Sequence, residues 1–320
     1  MLSTALLCAA PLTPALAVPA YTASVSGYTA IANRPIVAAD RVAIDATQQS
    51  SPDHAEASGE GGQLLSIGSF SPNDSGFVSS FARGFASSEP GLLHVYGGVL
   101  SVATDVQNIA TGIYAPSSFS VSSNINVSAS FSDTVTIGGV GMAPGAVVQV
   151  PVNFLAEMVS NYSLGYPVYS QHALSAYASF VLPGLGPQIF STESGFFPWT
   201  VTRESATTER YTVRSDLLYV DVHVGDVFAI GASFGVIGQA NIGDPSRQIQ
   251  VGGFVDGSNT AALWFGKLPD GVFLTSASGH DYTIDPTAAV VTAPVPESET
   301  YALMLVGMLA LGFRLRRRMH

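Results

Sequence analysis

Apolar and polar residues alternate with a period of two along most of the chain after Ser75. In one such run, Leu218, Val220, Val222 and Val224 fall on one side of an extended chain and the residues between them fall on the other. This pattern indicates a strand in a sheet with one buried face. Runs of strand length occupy 92–103, 119–131, 134–137, 146–158, 172–182, 210–213, 217–224, 227–237, 249–255, 261–265 and 272–276.

The spacing of these runs predicts an all-β fold. Segments 79–86 and 153–160 fit a helix or a strand equally well, and Ser132-Asp133 is a turn signal between two runs. Many short strands separated by turns are typical of an antiparallel β-sandwich or jelly roll. We place this domain at residues 75–286.

Residues 18–74 show the alternation only weakly. Segment 48–62 consists of small and polar residues with too few large apolar groups to bury. We therefore predict a low-complexity region that is largely loop, with a weak edge strand at 38–46.

The N-terminal 17 residues predict a signal peptide. An apolar run at 2–10 is followed by Ala15 and Ala17 at the spacing of a cleavage site, so cutting is expected before Val18. No basic residue precedes the run, which suggests that the printed sequence starts inside a longer signal peptide. The single cysteine, Cys8, lies in this segment, and the mature chain is predicted to lack disulfides.

Residues 295–320 have three parts in a fixed order. Val295, Pro296 and Glu297 form a short polar signature, and an uncharged apolar run follows at 301–313. The run predicts a single C-terminal transmembrane helix that is short but extended by its flanks. Residues 287–294 are expected to form an extended linker before it. A basic cluster follows the run and predicts a cytoplasmic end: Arg314, Arg316, Arg317 and Arg318.

This tail resembles the sorting signal of the PEP-CTERM family of Gram-negative bacteria, although Ser298 stands where that family has its second proline. The resemblance implies export by the general secretion machinery and a transient stay in the inner membrane. It further implies that an exosortase cuts the signal and releases the protein to the cell surface or the exopolysaccharide matrix. Segment 268–282, with its Leu-Pro-Asp-Gly-Val and Ser-Gly-His-Asp-Tyr elements, also resembles the stretch that often precedes such tails.

The charge balance narrows the choice of partners. The chain has 23 acidic and 12 basic residues, a formal net charge of -11, and one lysine, Lys267. Phosphate binding needs clustered Lys and Arg, so a nucleic acid partner is disfavoured. An acidic surface suits a soluble exported domain.

One motif points formally to catalysis. Gly231–Gly235 matches the Gly-x-Ser-x-Gly elbow around Ser233, and Asp256 and His280 follow in the order of a hydrolase triad. The elbow needs a helix after its strand, however, and no helix-forming segment follows here. We therefore predict a serine packed in a strand.

Candidate metal ligands are sparse. Asp221 and His223 share one strand face and His172 lies on another strand, but no third ligand has diagnostic spacing, so a solvated face is favoured. Three pairs fit calcium-binding loops or turns, and turns are favoured: Gly225-Asp226, Gly243-Asp244 and Asp256-Gly257. No metal or cofactor site is predicted.

Aromatic residues fit either a sugar-stacking surface or core packing: Tyr162, Tyr166, Tyr169, Tyr177, Trp199 and Trp264. The sequence as a whole predicts a non-enzymatic protein of structural or adhesive type at the cell surface or in the exopolysaccharide matrix. A carbohydrate-binding module is the alternative. A secreted hydrolase comes third, because no carboxylate pair or triad stands out, although glycosidase carboxylates often lie far apart in sequence.

Overall fold

The computed structural model describes residues 18–33, 40–44, 47–50, 53–66, 74–108, 119–164, 170–191, 200–205, 207–242 and 249–288. Within these ranges the chain forms strands, turns and bends and no helix. The strands are β1 (Ala20–Asn33), β2 (Asp40–Ile44), β3 (Thr47–Ser50), β4 (Ala55–Ser66), β5 (Asp74–Glu89), β6 (Leu92–Asn108), β7 (Phe119–Gly139), β8 (Val147–Leu164), β9 (Ser170–Leu182), β10 (Leu185–Ser191), β11 (Thr200–Arg203), β12 (Thr208–His223), β13 (Val227–Ile242), β14 (Ile249–Phe265) and β15 (Val272–Ser276).

The strands form two sheets. Sheet A has the order β10-β9-β13-β7-β1-β2, and β15 pairs with β7 beyond the end of β1. Sheet B has the order β11-β12-β8-β14-β6-β5-β4-β3. Every strand pair is antiparallel. The prediction of an all-β, antiparallel fold is therefore confirmed.

The two sheets pack face to face in a sandwich-like arrangement. β5 and β6 of sheet B lie against β1, β7 and β13 of sheet A. On β7 the odd-numbered residues Val121, Ile125 and Val127 point inward and are at most 1% exposed, and the even-numbered residues between them point outward. Burial of these alternating side chains between the sheets is the main force that holds the fold together.

Two paired glycines allow close approach of the sheets. Gly84 on β5 lies opposite Gly97 on β6. A Cβ at Gly84 would lie 2.6 Å from Cγ2 of Val127 and 2.7 Å from Cγ1 of Val25, and one at Gly97 would lie 3.0 Å from Cγ2 of Val236. The missing side chains make room for valines of sheet A, a role typical of glycine inside strands.

The prediction that residues 18–74 are largely loop is corrected by the structure, because the described residues there are mostly in β-strands. β1 pairs with β7 along its whole length, and β4 pairs with β5 along its whole length. Tyr21, Ala23 and Val25 alternate toward the core, and Ala55 and Ala57 do the same on β4. Small side chains suffice here because a strand between neighbours is held by its hydrogen-bond ladder as well as by burial.

Several predicted boundaries also differ from the structure. Ser132-Asp133 is not a turn, because both residues lie inside β7, a continuous strand of 21 residues. The runs at 210–213 and 217–224 belong to the single strand β12, with a register shift between Ser215 and Leu218. Segments 79–86 and 153–160, which fitted a helix or a strand, lie in β5 and β8. Pairing with neighbouring strands, which no local pattern reports, decides each of these cases.

The chain divides into two compact units, Met1–Ile284 and Asp285–His320. Both sheets belong to the first unit. Only residues 285–288 of the second unit are described, and there the carboxylate of Asp285 accepts hydrogen bonds from the backbone N–H and the hydroxyl of Thr287, at 2.8 and 2.6 Å.

Candidate functional site

The outward face of sheet A carries a broad array of small polar side chains on β1, β7, β9 and β13. We call this surface the hydroxyl face. It consists of Thr22, Ser24, Ser26, Ser122, Asn124, Asn126, Ser128, Ser130, Ser132, Ser179, Ser233, Gln239 and Asn241. The array arises because the even-numbered positions 22–26 of β1 and 122–132 of β7 face outward and are all Ser, Thr or Asn.

The strand registers line these side chains up in rows. Thr22, Ser130, Ser233 and Ser179 lie opposite one another on four adjacent strands. The Thr22 and Ser130 hydroxyl oxygens are 2.6 Å apart, and those of Ser179 and Ser233 are 2.7 Å apart. In the next row, the hydroxyl oxygens of Ser24 and Ser128 are also 2.7 Å apart. Cross-strand pairs of this kind orient the hydroxyls and stabilise the sheet.

The hydroxyl face is uncharged. The outward-facing described side chains of β1, β7, β9 and β13 include no Asp, Glu, Lys or Arg. The outward face of sheet B differs, because Arg210 pairs there with Glu157 and with Glu204, the latter at 2.6 Å. The two faces of the molecule therefore offer chemically different surfaces.

Two tyrosines lie on the hydroxyl face, and Tyr28 on β1 is opposite Asn124. Tyr177 on β9 is opposite Gly235 on β13, and a Cβ at Gly235 would lie 2.3 Å from Cζ of Tyr177. The Tyr177 ring thus lies across the backbone of the neighbouring strand. Trp264, by contrast, is 7% exposed and cannot serve as a stacking platform. The side chains of Tyr162, Tyr166, Tyr169 and Trp199 lie outside the described part of the chain.

A second polar cluster is buried between the end of β15 and β7. Asp133 is 2% exposed, and its carboxylate accepts hydrogen bonds from the hydroxyl of Ser278 at 2.5 Å and the hydroxyl of Tyr282 at 3.0 Å. The backbone N–H of Thr134 donates to the same carboxylate at 2.7 Å. We call Asp133, Ser278 and Tyr282 the C-terminal latch. Burial raises the pKa of Tyr282 far above its usual range, and the nearby Asp133 raises that pKa further, so the phenol stays protonated and donates.

His280 and Asp281 beside the latch do not form a catalytic pair. The His280 ring meets the edge of the Tyr282 ring at a centroid distance of 4.7 Å. Burial lowers the pKa of His280 more than the surrounding carboxylates raise it. The Asp281 carboxylate accepts from the Thr283 hydroxyl at 2.6 Å and from its backbone N–H at 2.9 Å, and these bonds lower the pKa of Asp281. The Asp281 carboxylate is therefore engaged by Thr283, two residues along the chain.

The formal nucleophile elbow is part of a continuous strand. Ser233 lies within β13, which runs from Val227 to Ile242 without a turn, and its hydroxyl pairs with Ser179. Asp256 is on β14 of the opposite sheet, and His280 follows β15. The three residues of the formal triad are therefore not assembled around Ser233.

The candidate metal ligands are likewise separated or engaged in turns. Asp221 lies next to Gln149, whose side-chain amide donates to it at 3.3 Å, and His172 is on β9 of the other sheet. The Asp226 carboxylate accepts from the backbone N–H of His223 at 2.7 Å, which lowers the pKa of Asp226, and it lies 3.1 Å from Nδ1 of the same residue. These contacts close the turn between β12 and β13.

Some sequence predictions concern residues outside the described ranges. These are Gly243-Asp244, the signal-peptide residues Ala15 and Ala17, the sorting residues Val295, Pro296 and Glu297, the helix 301–313 and the basic cluster Arg314, Arg316, Arg317 and Arg318. Within the described ranges, no helix is both long and apolar enough to cross a membrane. The same ranges contain no cluster of three or more His, Cys, Asp or Glu side chains placed to hold a metal ion.

Comparison with models of known families, with curated proteins and with solved structures found no match. The arguments for function therefore depend on the residues of this chain.

Local patterns do not identify Asp133 as a partner of Tyr282, because Ser132-Asp133 has the composition of a turn. A signal was present: Asp133 has the same odd-numbered parity as Val127 and Phe131, which alternation places toward the core. An acidic residue at an inward position predicts a buried hydrogen-bonding partner.

Proposed function

We propose that the chain is an exported protein of structural or adhesive type that acts at the cell surface or in the exopolysaccharide matrix. In this proposal the β-sandwich makes the adhesive contacts. The PEP-CTERM-like tail at 295–320 directs sorting after the signal peptide at 1–17 has directed export.

The observation that carries the adhesive role is the hydroxyl face. It presents many similar hydrogen-bonding groups over four strands in place of a single reactive centre. Serine, threonine and asparagine side chains both donate and accept, so such a surface can form many weak contacts with a hydrated polymer. Repeated weak contacts give retention through multivalency, which suits adhesion.

The sorting part of the proposal is supported by the order of the tail segments in the sequence. Pro296 and Glu297 precede the apolar run 301–313, and the arginines follow it. The partners implied are the general secretion machinery, an exosortase and the exopolysaccharide, with a transient stay in the inner membrane.

Intact mass and cell fractionation in the native host, compared with a strain that lacks the exosortase, test this proposal. The wild-type strain should yield a form that starts near Val18, lacks the tail from about Pro296 onward and lies on the surface or in the matrix. The strain without exosortase should retain the tail in the inner membrane. Retention of the full tail in both strains would contradict sorting by this signal.

Two variants sharpen the experiment. Glu297→Ala changes the predicted signature and should reduce processing in the wild-type strain. Thr292→Ala lies in the predicted linker a few residues upstream and serves as the matched control, with processing unchanged. Equal processing of both variants would show that the signature is not what the sorting enzyme reads.

A further inference from the structure

We propose that the hydroxyl face is a binding surface for neutral polysaccharide. The inference rests on the proposed role at the cell surface or in the matrix, and it names the class of ligand.

The first argument is the regular spacing of the polar groups. Adjacent strands lie about 4.8 Å apart, and successive side chains on one face of a strand lie about 6.8 Å apart. The row of Thr22, Ser130, Ser233 and Ser179 therefore repeats a similar polar group at each strand across the sheet. A polymer of repeating sugar units can contact such an array at several units in succession.

The second argument concerns the hydrogen bonds that the paired hydroxyls can still form. Thr22 with Ser130 and Ser179 with Ser233 each share one hydrogen bond within the pair. A hydroxyl has one donor hydrogen and two lone pairs, so each pair retains a donor and several acceptor sites. Their fixed orientation lowers the entropy cost of binding a ligand.

The third argument is the absence of charge on this face combined with the net charge of the chain. The face carries no described outward Lys or Arg to neutralise a polyanion. The chain as a whole has a formal net charge of -11, so an acidic polysaccharide would be repelled. A neutral polysaccharide avoids both penalties and matches the donors and acceptors of the face.

The fourth argument is the aromatic ring of Tyr177. The ring lies across Gly235, and strand pairing places Tyr177, Gly235, Ser128 and Ser24 in one row on four adjacent strands. The apolar face of a sugar ring can contact such a side chain while its hydroxyls bond to the neighbouring serines. Tyr177 is thus placed in a row of this face to anchor a chain of sugars.

Binding of the full chain, in mild detergent, to amylose, dextran and cellulose tests the proposal, with alginate as the polyanionic comparison. Saturable binding to at least one neutral polysaccharide and weaker binding to alginate are expected. Ser130→Arg should abolish the binding, because it places a long charged side chain in the middle of the array. Tyr177→Ala should weaken it about tenfold, the loss of one stacked ring.

The matched controls lie on the outward face of sheet B. Ser58→Arg and Tyr219→Ala replace exposed residues there and should leave polysaccharide binding unchanged. Thermal unfolding of all four variants separates loss of binding from loss of folding, and Tyr177→Phe, which keeps the ring, should bind like the wild type.

Three results would overturn the proposal: no binding to any of the neutral polysaccharides, tighter binding to alginate, or equal losses in the sheet B variants. A change of oligomeric state in Ser130→Arg without any glycan binding would identify the face as a contact between copies of the chain. A chain that is sorted correctly but binds no glycan contradicts this inference alone. One that binds glycan but stays in the inner membrane contradicts the sorting proposal alone.

Discussion

The hydroxyl of Tyr282 donates a hydrogen bond to the carboxylate of Asp133 at 3.0 Å, across 149 residues of sequence. Asp133 belongs to β7 of sheet A. The backbone carbonyl of Tyr282 accepts from the N–H of Phe265 at the end of β14 in sheet B, at 2.7 Å. One residue near the end of the first compact unit therefore links both sheets.

The tyrosine is also packed into the core. It is fully buried, and its ring stacks against Phe131 at a centroid distance of 6.2 Å. Gly91 lies against its ring, since a Cβ there would be 3.4 Å from Cε1 of Tyr282. The C-terminal latch thus ties the segment after β15 to the sandwich by burial and by hydrogen bonds together.

Tyr282→Phe should destabilise the protein by about 1–3 kcal/mol, because it removes one donor from a buried carboxylate and keeps the ring contacts. Denaturant unfolding followed by tyrosine and tryptophan fluorescence measures the change. Tyr219→Phe is the matched control, since Tyr219 is 55% exposed and its replacement should alter stability little. Equal effects of the two variants would mean that the bond to Asp133 contributes nothing net.

Gly84→Ala should destabilise the protein by about 1–3 kcal/mol through overpacking. The added methyl group would meet Val127 and Val25 at 2.6 and 2.7 Å, and both belong to the opposite sheet, which cannot move away cheaply. The unfolding free energy is the measurement.

The control for this change is Gly62→Ala on β4. A Cβ at Gly62 meets the ring of Phe81 at 3.0 Å, and a partly exposed ring can rotate away. Alanine is favoured over glycine inside a strand by about 0.5–1 kcal/mol, so this variant should be neutral or slightly stabilised. A Gly84→Ala protein as stable as the wild type would show that the sheets separate easily at this point.

Stability should fall as the pH drops below about 6.5, the usual pKa of histidine, because of His280. Burial lowers the pKa of His280, and the opposing influence of Asp281, Asp133 and Glu89 is smaller. The unfolded state therefore binds a proton more readily than the folded state in this range, and protonation favours unfolding. The loss should level off below the folded pKa of His280.

Unfolding free energies between about pH 8 and about pH 5, compared for wild type and His280→Gln, measure this effect. The variant should show a shallower decline, since the two proteins differ only at residue 280. Asp281 affects stability in a separate, more acidic range. The stability that its lowered pKa contributes is lost only as the pH falls through that lowered value. Parallel curves for the two proteins would exclude His280 as the source.

Local patterns predicted some of the candidate site and missed the rest. Alternation placed Tyr219, Asp221 and His223 on one face of a strand and Ser233 within a strand, which the structure also shows. It did not reveal that Thr22 lies beside Ser130, because 108 residues separate them and only strand pairing joins them. The hydroxyl face could not be recognised from any single segment.

The segment before Ser75 shows the same limit. Few large apolar residues occur there, so composition favoured a loop, yet Tyr21, Ala23 and Val25 are buried against sheet B. Burial of small side chains becomes sufficient only when partner strands already exist on both sides. That information lies in β7 and β5, outside the segment itself.

The sequence by itself determined the all-β character, since period-two alternation is incompatible with a helix and specifies which side chains share a face. It also determined the acidic net charge, the high content of uncharged polar residues and the order of the tail segments. The tertiary structure decided which strands are neighbours, and with them the hydroxyl face, the opposed Gly84 and Gly97, and the contact of Tyr282 with Asp133. The reason is physical: alternation acts over neighbouring residues, whereas strand pairing depends on the free energy of contacts between distant parts of the chain.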